Sequence, residues 1–193
     1  RGGSFQPEWV AVFTGICKHG WVAIGIQFMS TIESLKRQYT KCFKMLRETI
    51  SVYDSDLWID AEHFESPAWQ IVYHLLYNAN RYLSPSESTV VNWPKENKKL
   101  YKFFSKQSEL TKEEINRNPY SKDEMLEYLA HIKDNMPSYL ERMQPDNNCW
   151  PSWYDENQLE FQINNIRHIQ HHIGQLNERL NNLIPFDYWW FGK

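Results

Sequence analysis

The chain has 193 residues, of which 41% are hydrophobic and 16% aromatic, and its formal net charge is −3 at pH 7. This length and composition predict one packed domain and exclude an intrinsically disordered chain, which would have too few apolar side chains to form a core. The slight negative charge provides no basic surface for DNA or RNA, so we expect no nucleic-acid partner.

The cysteines and the hydropathy pattern favour a cytoplasmic protein. Cys17, Cys42 and Cys149 are widely spaced and form no C-x-x-C motif. They therefore predict neither a disulfide framework nor a thiolate zinc site, and they suit a reducing compartment. The apolar stretch from Trp9 to Met29 is interrupted by a lysine and a histidine, so we interpret it as neither a membrane span nor a signal peptide. We expect no association with a membrane.

Residues 1–28 differ from the rest of the chain because they lack a clean helical period. Met29 is followed by Ser30-Thr31-Ile32-Glu33, which has the pattern of a capping box at the start of a helix. We therefore hypothesise that the native protein begins at Met29 and that residues 1–28 are a non-native leader, which leaves residues 29–193 as the single domain. A genuine apolar N-terminal arm is the alternative.

Apolar residues at three- and four-residue steps predict the first two long helices. The first helix is predicted from Ser30 to about Ile50. Residues 51–65 are interpreted as a connection. The dipeptide Ser66-Pro67, an N-cap residue followed by proline at the first helical position, then opens a second helix that runs through about Leu83.

The part of the chain that follows the second helix is less regular. Residues 84–120 contain three prolines and a lysine-rich patch, and short helices are expected around residues 95–106 and 111–117. Ser121-Lys122-Asp123-Glu124 is a second capping box, which predicts the start of the third long helix.

Two long helices complete the predicted fold. Pro137 lies inside the third helix and predicts a kink or break near Asn135. The fourth helix is predicted from about Glu156 to Leu183. Because no segment has the alternating pattern of a strand, the sequence predicts an all-α protein, an antiparallel four-helix bundle with a long crossover between the second and third helices.

Two histidines on the fourth helix predict a metal site. His168 and His172 are four residues apart, so both side chains lie on one face of the helix and present two nitrogens to the same point. On a helical wheel they lie at the flank of the apolar stripe, whereas His171 lies opposite that stripe and is predicted to be solvated. Two ligands are not sufficient, because zinc needs at least three protein ligands.

His74, in the middle of the second predicted helix, is the candidate for the third ligand. The helical wheel places it with Gln70, Tyr77 and Arg81 on the polar side, so periodicity alone predicts a surface histidine. The remaining histidines are weaker alternatives because of their predicted positions: His63 in a loop, His131 beside the apolar stripe of the third helix, and His19 in the leader.

The segment from Ser66 through His74 to Leu83, together with His168-x-x-x-His172-Ile173-Gly174-Gln175-Leu176, resembles the DinB/YfiT-like superfamily. The resemblance covers roughly residues 29–185 in helix order and leaves out the leader and the aromatic tail. It implies a four-helix bundle in which His74, His168 and His172 form a three-histidine metal site.

The same resemblance implies a function. We expect a divalent metal ion, zinc, nickel, iron or manganese, with one coordination position left open. Characterised branches of the family use low-molecular-weight thiols, which implies a metal-dependent thiol transferase or hydrolase that acts on a small-molecule substrate. The alternative is a non-catalytic stress-response protein whose metal site is structural or empty and which acts through association, for example as a homodimer.

Several residues near the predicted site have two interpretations. The aromatic loop at residues 150–154 and the tail at residues 188–191 are predicted to cap the bundle or to bury a dimer surface, and the alternative is that they wall a substrate pocket. Asn165 and Gln175 are candidates for orienting the ligand imidazoles. Cys149 is interpreted as a loop residue, and the alternative is a reactive thiol at the mouth of the site, which would need a lowered pKa.

Overall fold

The computed structural model describes the backbone of residues 9–64, 66–101 and 110–183, and within these ranges the side chains from residue 31 onward, except those of residues 112 and 183. These residues form six α-helices and one short 3-10 helix: α1 Trp9–Val52, α2 Ser55–Ile59, α3 Ala68–Leu83, the 3-10 helix Glu87–Thr89, α4 Lys112–Asn116, α5 Lys122–Glu141 and α6 Gln158–Leu183. Extended pairing in these ranges is limited to an isolated bridge between Asn148 and Asn157. The described chain is therefore all-α, as predicted.

The chain divides into two compact units, residues 1–35 and 36–193. The described part of the first unit, residues 9–35, is one continuous stretch of α1. Ser30 is therefore an interior helical residue, and the helix start predicted there is wrong. Residues 9–29 contain no proline, so nothing in the backbone chemistry stops the helix before the Ser30 motif. The non-native origin of residues 1–28 stays a prediction.

In the second unit, α3 is buried along nearly its whole length. It contacts α2, α5 and α6. Large side chains such as Trp69, Tyr73 and Leu76 are fully buried and place α3 in the apolar core of this unit. A histidine on α3 is consequently held in a packed interior rather than on a free surface.

Polar contacts give the relative direction of α1 and α6. Tyr39 Oη donates to Gln162 Oε1 at 2.7 Å, and ten residues later Thr49 Oγ1 donates to Asn177 Oδ1 at 3.0 Å. The partners advance along both helices in the same sense. The part of α1 from residue 36 onward therefore runs parallel to α6.

The contacts of α3 with α6 advance in opposite senses. Gln162 Nε2, near the start of α6, donates to the carbonyl of Tyr82, near the end of α3, at 2.9 Å. Arg179, near the end of α6, donates to the carbonyl of Ser66, just before α3, at 2.6 Å. The two helices are therefore antiparallel, and the middle of α3 lies opposite the middle of α6.

The orientation of α5 follows from two contacts with the second-unit part of α1. Lys36 Nζ donates to Glu141 at 3.0 Å, and Lys122 Nζ donates to the carbonyl of Tyr53 at 2.6 Å. α5 is therefore antiparallel to α1 and parallel to α3. Residues 84–121 connect these two helices along the chain.

The predicted helix starts of α3 and α5 are close to those observed. α3 begins at Ala68 with Pro67 as its N-cap, one residue later than predicted from Ser66. The capping box of α5 is confirmed, since the Ser121 side chain accepts from the Glu124 N–H and the Glu124 side chain accepts from the Ser121 N–H. The end of α3 at Leu83 and the bounds of α6 also match the predicted helices.

α5 continues through Pro137 to Glu141, so the helix does not break near Asn135. The kink that was the other expectation there stays a prediction. Proline removes the N–H that would bind the carbonyl four residues earlier, and this residue, Lys133, is exposed, so water can bind that carbonyl instead. Asn135 Nδ2 donates to the carbonyl of His131 at 2.8 Å and adds a bond in the adjacent turn.

Of the two short helices predicted between the second and third long helices, one is confirmed. α4 lies within the predicted range 111–117 and has its own capping box. Of the helix predicted around 95–106, residues 95–101 contain no α-helix, and residues 102–109 lie outside the described residues. Within the described ranges, no helix combines the length and the apolar character needed to cross a bilayer.

Candidate metal centre

Three histidines come together where α3 and α6 face each other. His74 lies in the middle of α3, and His168 and His172 lie one turn apart on α6. One ring nitrogen from each histidine can be chosen so that all three lie within 4.8 Å of one another. The antiparallel packing of two helices thus unites a residue from the first half of the chain with a pair from the second half, and these are the three histidines that the sequence analysis selected.

The spacing of the nitrogens is close to what one metal ion requires. Two ligands about 2.1 Å from an ion are about 3.0 Å apart at an octahedral angle and about 3.4 Å apart at a tetrahedral angle. The Nε2 atoms of His168 and His172 are 3.2 Å apart, between these values. All three nitrogens lie within 4.8 Å of one another, and because two ligands of one ion span at most about 4.2 Å, a small inward shift of the rings brings every pair within that limit. The three residues fit a divalent ion with this small adjustment.

The hydrogen bond of His74 determines which ring nitrogen faces the centre. Nδ1 lies 2.9 Å from the carbonyl oxygen of Tyr101, and because a carbonyl only accepts, Nδ1 carries the proton and Nε2 the lone pair. Asn78 Nδ2 lies 3.1 Å from His74 Nε2 and 2.9 Å from the His74 carbonyl. If His74 Nε2 binds another group, the Asn78 amide can still donate a hydrogen bond to the His74 carbonyl.

His172 is oriented in the same way from within its own helix. Its Nδ1 lies 3.1 Å from Oε1 of Gln175, so the amide oxygen accepts the Nδ1 proton and Nε2 is left as the donor atom for a metal. Gln175 thus has the orienting contact that was predicted for it. In the described part of the chain, Nδ1 of His168 is buried and has no hydrogen-bond partner.

Burial keeps the imidazoles neutral. It lowers the pKa of His168 to about 3, with further lowering from the neighbouring His172 and His74. Burial likewise lowers the pKa of His172 to about 4 against the opposing effect of Gln175, and it lowers the pKa of His74. Removing a charged ring from water is unfavourable, and like charges this close repel. Near pH 7 the rings are therefore unprotonated, the state in which imidazole binds metals.

The other histidines with described side chains lie outside the centre. His171 is exposed on α6, as predicted. His63 is exposed and its Nδ1 lies 2.8 Å from Asp60, and His131 Nε2 lies 2.9 Å from the carbonyl of Val91. The side chain of His19 is outside the described residues.

Two predicted neighbours of the site have other roles. Asn165 makes no hydrogen bond to an imidazole in the described residues, since its Nδ2 lies 3.0 Å from the Tyr39 hydroxyl and 3.5 Å from the carbonyl of Ala79 and its Oδ1 has no partner there. It binds across the interface of α1, α3 and α6 instead. Cys149 is buried, and burial raises the pKa of its thiol. A thiol held protonated in this way is a poor nucleophile.

The aromatic loop reaches the site through a stack of rings. Tyr154 packs on Tyr82 with ring centroids 6.0 Å apart, and Tyr82 packs on His168 at 5.9 Å. Trp153, at 76% exposure, leaves most of its ring to solvent. The loop therefore covers one side of the α3 and α6 contact, and the predicted role of the tail at residues 188–191 lies outside the described residues.

Sequence reasoning missed the Tyr101 carbonyl and Asn78. Asn78 follows His74 by four residues, and this spacing was a usable signal for a side chain beside the ring. The carbonyl of Tyr101 was not predictable, since its position depends on how the crossover folds back onto α3.

Comparisons of the chain with models of protein families, with curated proteins and with solved structures found no match.

Proposed function

We propose that the protein is a DinB/YfiT-like metal-dependent enzyme of the thiol-transferase or hydrolase type, with His74, His168 and His172 as ligands of a divalent ion. Zinc, nickel, iron and manganese all accept imidazole ligands. The substrate is a small molecule, for which a low-molecular-weight thiol is the leading class. The proposal includes a cytoplasmic location and leaves open whether the protein is a homodimer.

The helix arrangement supports the family assignment. α1 from residue 36 onward, α3, α5 and α6 are the long helices of the second unit, and the two consecutive parallel helices α3 and α5 are joined by the long crossover. This is the arrangement expected of a four-helix bundle with one crossover. The resemblance of the His74 and His168 segments to the superfamily is the second line of support.

The convergence of three neutral imidazoles is the observation that carries the metal proposal. Each ring comes from a helix, so its backbone is rigid, and two of the rings have the outer nitrogen fixed by an acceptor, the Tyr101 carbonyl or the Gln175 amide. Metal-binding histidines commonly donate their second N–H in this way. In both rings the outer acceptor places the proton on Nδ1, so that the lone pair lies on Nε2, the nitrogen that would bind the metal.

Such a centre suits acid and base chemistry near neutral pH. A divalent ion held by three imidazoles lowers the pKa of a coordinated water or thiol toward neutrality. The chain itself keeps the three rings unprotonated by burial and holds two of them in the ligand tautomer. Tyr82 and the aromatic loop shield one side of His168 from water, which strengthens electrostatic interactions inside the site.

A non-catalytic protein with a structural or empty site is the second candidate. One observation favours it: the Nε2 atoms of His168 and His172, 3.2 Å apart, are within hydrogen-bond distance of each other. A proton on one of these nitrogens would join the two rings directly and would stabilise the cluster without a metal.

Elemental analysis of protein purified without a metal-affinity step tests the metal centre. We expect about one equivalent of divalent metal in the unmodified protein and in the control variant His171→Ala, and little in His172→Ala, because a site with two remaining protein ligands holds zinc-type ions weakly. Failure to take up any of the four metals, or equal loss in both variants, would contradict the proposal.

Addition of 2-mercaptoethanol to the Co²⁺-loaded protein separates the two candidates. An open coordination position predicts a new sulfur-to-cobalt absorption band that saturates with the thiol concentration. A cobalt spectrum that does not respond to the thiol would favour the structural site.

A further inference from the structure

Gln70 is a buried polar residue whose side-chain amide makes no hydrogen bond within the described part of the chain. Its relative exposure is 0%, and in the described part of the chain neither Nε2 nor Oε1 has a hydrogen-bond partner. Buried polar side-chain atoms are nearly always paired, because loss of water without a replacement bond is unfavourable. A fully unpaired amide therefore needs an explanation.

The position of Gln70 links it to the histidine centre. It precedes His74 by four residues on α3 and lies one helical turn away on the same face. Because α3 is antiparallel to α6, Gln70 lies between two contacts of these helices, that of His74 with His172 and that of Ser66 with Arg179. Gln70 is therefore buried in the stretch of α3 that runs alongside α6, one turn from His74.

We propose that Gln70 binds an amide group of the ligand that occupies the histidine centre. This inference rests on the proposed function and names the substrate class more closely. The side chain offers one acceptor, Oε1, and two hydrogens on Nε2. A ligand amide has the complementary pair, an N–H for Oε1 and a C=O for Nε2, whereas a carboxylate would leave Oε1 unpaired and bury a charge. A thiol that carries an amide a few bonds from its sulfur could bind the metal through the sulfur and Gln70 through the amide.

Two small thiols test this recognition on the Co²⁺-loaded protein. 2-Mercaptoacetamide has a thiol and an amide, and methyl mercaptoacetate has the same thiol and carbonyl but no N–H. We expect the unmodified protein to bind the amide about tenfold more tightly than the ester, as measured by titration of the sulfur-to-cobalt band. In Gln70→Met, which keeps the side-chain length and removes the amide, this preference should fall to about one.

A second glutamine provides the matched control. Gln162 is also buried, but its amide is paired with Tyr39 and with the carbonyl of Tyr82. Gln162→Met should lower the melting temperature of the metal-free protein and leave the amide preference unchanged. Gln70→Met should not lower the melting temperature, since it removes no bond within the protein.

The outcomes separate this inference from the proposed function. If the protein takes up no metal, or if neither thiol changes the cobalt spectrum, both the proposed thiol chemistry and the role of Gln70 are wrong. If both thiols bind but the unmodified protein and Gln70→Met show the same preference, Gln70 is satisfied by water alone and only this inference is wrong.

Discussion

Two polar clusters lie two helical turns apart on the same face of α3, one built on His74 and the other on Arg81. Arg81 donates to both carboxylate oxygens of Glu96, at 2.7 and 3.1 Å. Its guanidinium also lies 3.4 Å from the centre of the Tyr77 ring, and the Glu96 side chain is 4% exposed. Each charge therefore has a partner of opposite charge in bidentate geometry.

The histidine centre differs from this ion pair in two ways: its rings carry no charge, and not all of its buried polar atoms have hydrogen-bond partners in the described part of the chain. Its three rings are neutral, and the cluster includes a buried nitrogen, Nδ1 of His168, without a partner in the described residues. Gln70, one turn before His74, has two more unpaired atoms. Hydrogen bonding separates the two groups: the fully paired cluster attaches Glu96 to α3, whereas the histidine centre and Gln70 retain unpaired atoms that a proposed ligand would use.

The largest expected effect is on the ion pair. Glu96→Gln leaves the Arg81 charge buried without its counter-charge, and we expect the free energy of unfolding to fall by about 3–5 kcal/mol in urea denaturation. The matched control is Glu141→Gln, which removes the partner of Lys36 where the glutamate side chain is 59% exposed. That change should cost less than about 1 kcal/mol. Equal costs for the two variants would remove the distinction between a buried structural cluster and a surface pair.

Acid should destabilise the metal-free protein through the histidine centre. The pKa values of His168 and His172 are lowered to about 3 and about 4 in the folded state, so below about pH 6.5 the unfolded state binds more protons. Stability then falls as the pH decreases from about 6.5 toward these folded values, by at most about 1.4 kcal/mol per pH unit for each ring.

The measurement is the free energy of unfolding at several values between pH 7 and pH 4.5. His168→Gln should reduce the pH dependence by about one proton, whereas His171→Gln, on the exposed side of α6, should not change it. An unchanged slope in His168→Gln would mean that this ring is not held neutral by the fold.

A smaller effect is expected from the residue that orients His172. Gln175→Met removes the acceptor of the Nδ1 proton, and we expect affinity for Co²⁺ to fall about tenfold in a competitive titration. Asn165→Leu is the informative comparison, because Asn165 contacts Tyr39 and Ala79 rather than a ring. It should lower thermal stability without changing metal affinity, and the reverse pattern would show that the orienting residues have been assigned wrongly.

The sequence predicts the α6 half of the centre much better than the α3 half. A spacing of four residues places His168 and His172 together in any helix, whatever surrounds it. A helical wheel places His74 on the polar side of α3 and so predicts a surface residue, yet α3 has no free side. The polar partners of that face, Glu96 and the carbonyl of Tyr101, come from the segment between α3 and α5. Position within a helix made His74 a candidate and the family resemblance decided for it, because contacts between distant segments have no periodic signal.

The same S-x-x-E motif predicted the start of α5 correctly and a helix start at Ser30 wrongly. Ser121 begins α5 and follows Pro119, which restricts the backbone just before the cap. Ser30 follows Phe28 and Met29, which are compatible with a helix, and α1 passes through it. A capping motif therefore predicts a helix start only where the preceding residues cannot continue the helix.

The smallest effect is expected from removal of the predicted leader. Every side chain of the two clusters comes from residue 70 or later, and the second unit begins at residue 36. We therefore expect a chain that starts at Met29 to keep the metal content, the melting temperature and the effects of Glu96→Gln and His172→Ala unchanged within error. If the shortened chain is insoluble or binds less metal, residues 1–28 are a genuine arm that the folded protein requires. Glu96→Gln and His172→Ala would then be compared in the full and in the shortened chain. A loss confined to metal binding would show that the histidine centre depends on the arm, and a loss of unfolding free energy would show that the core depends on it.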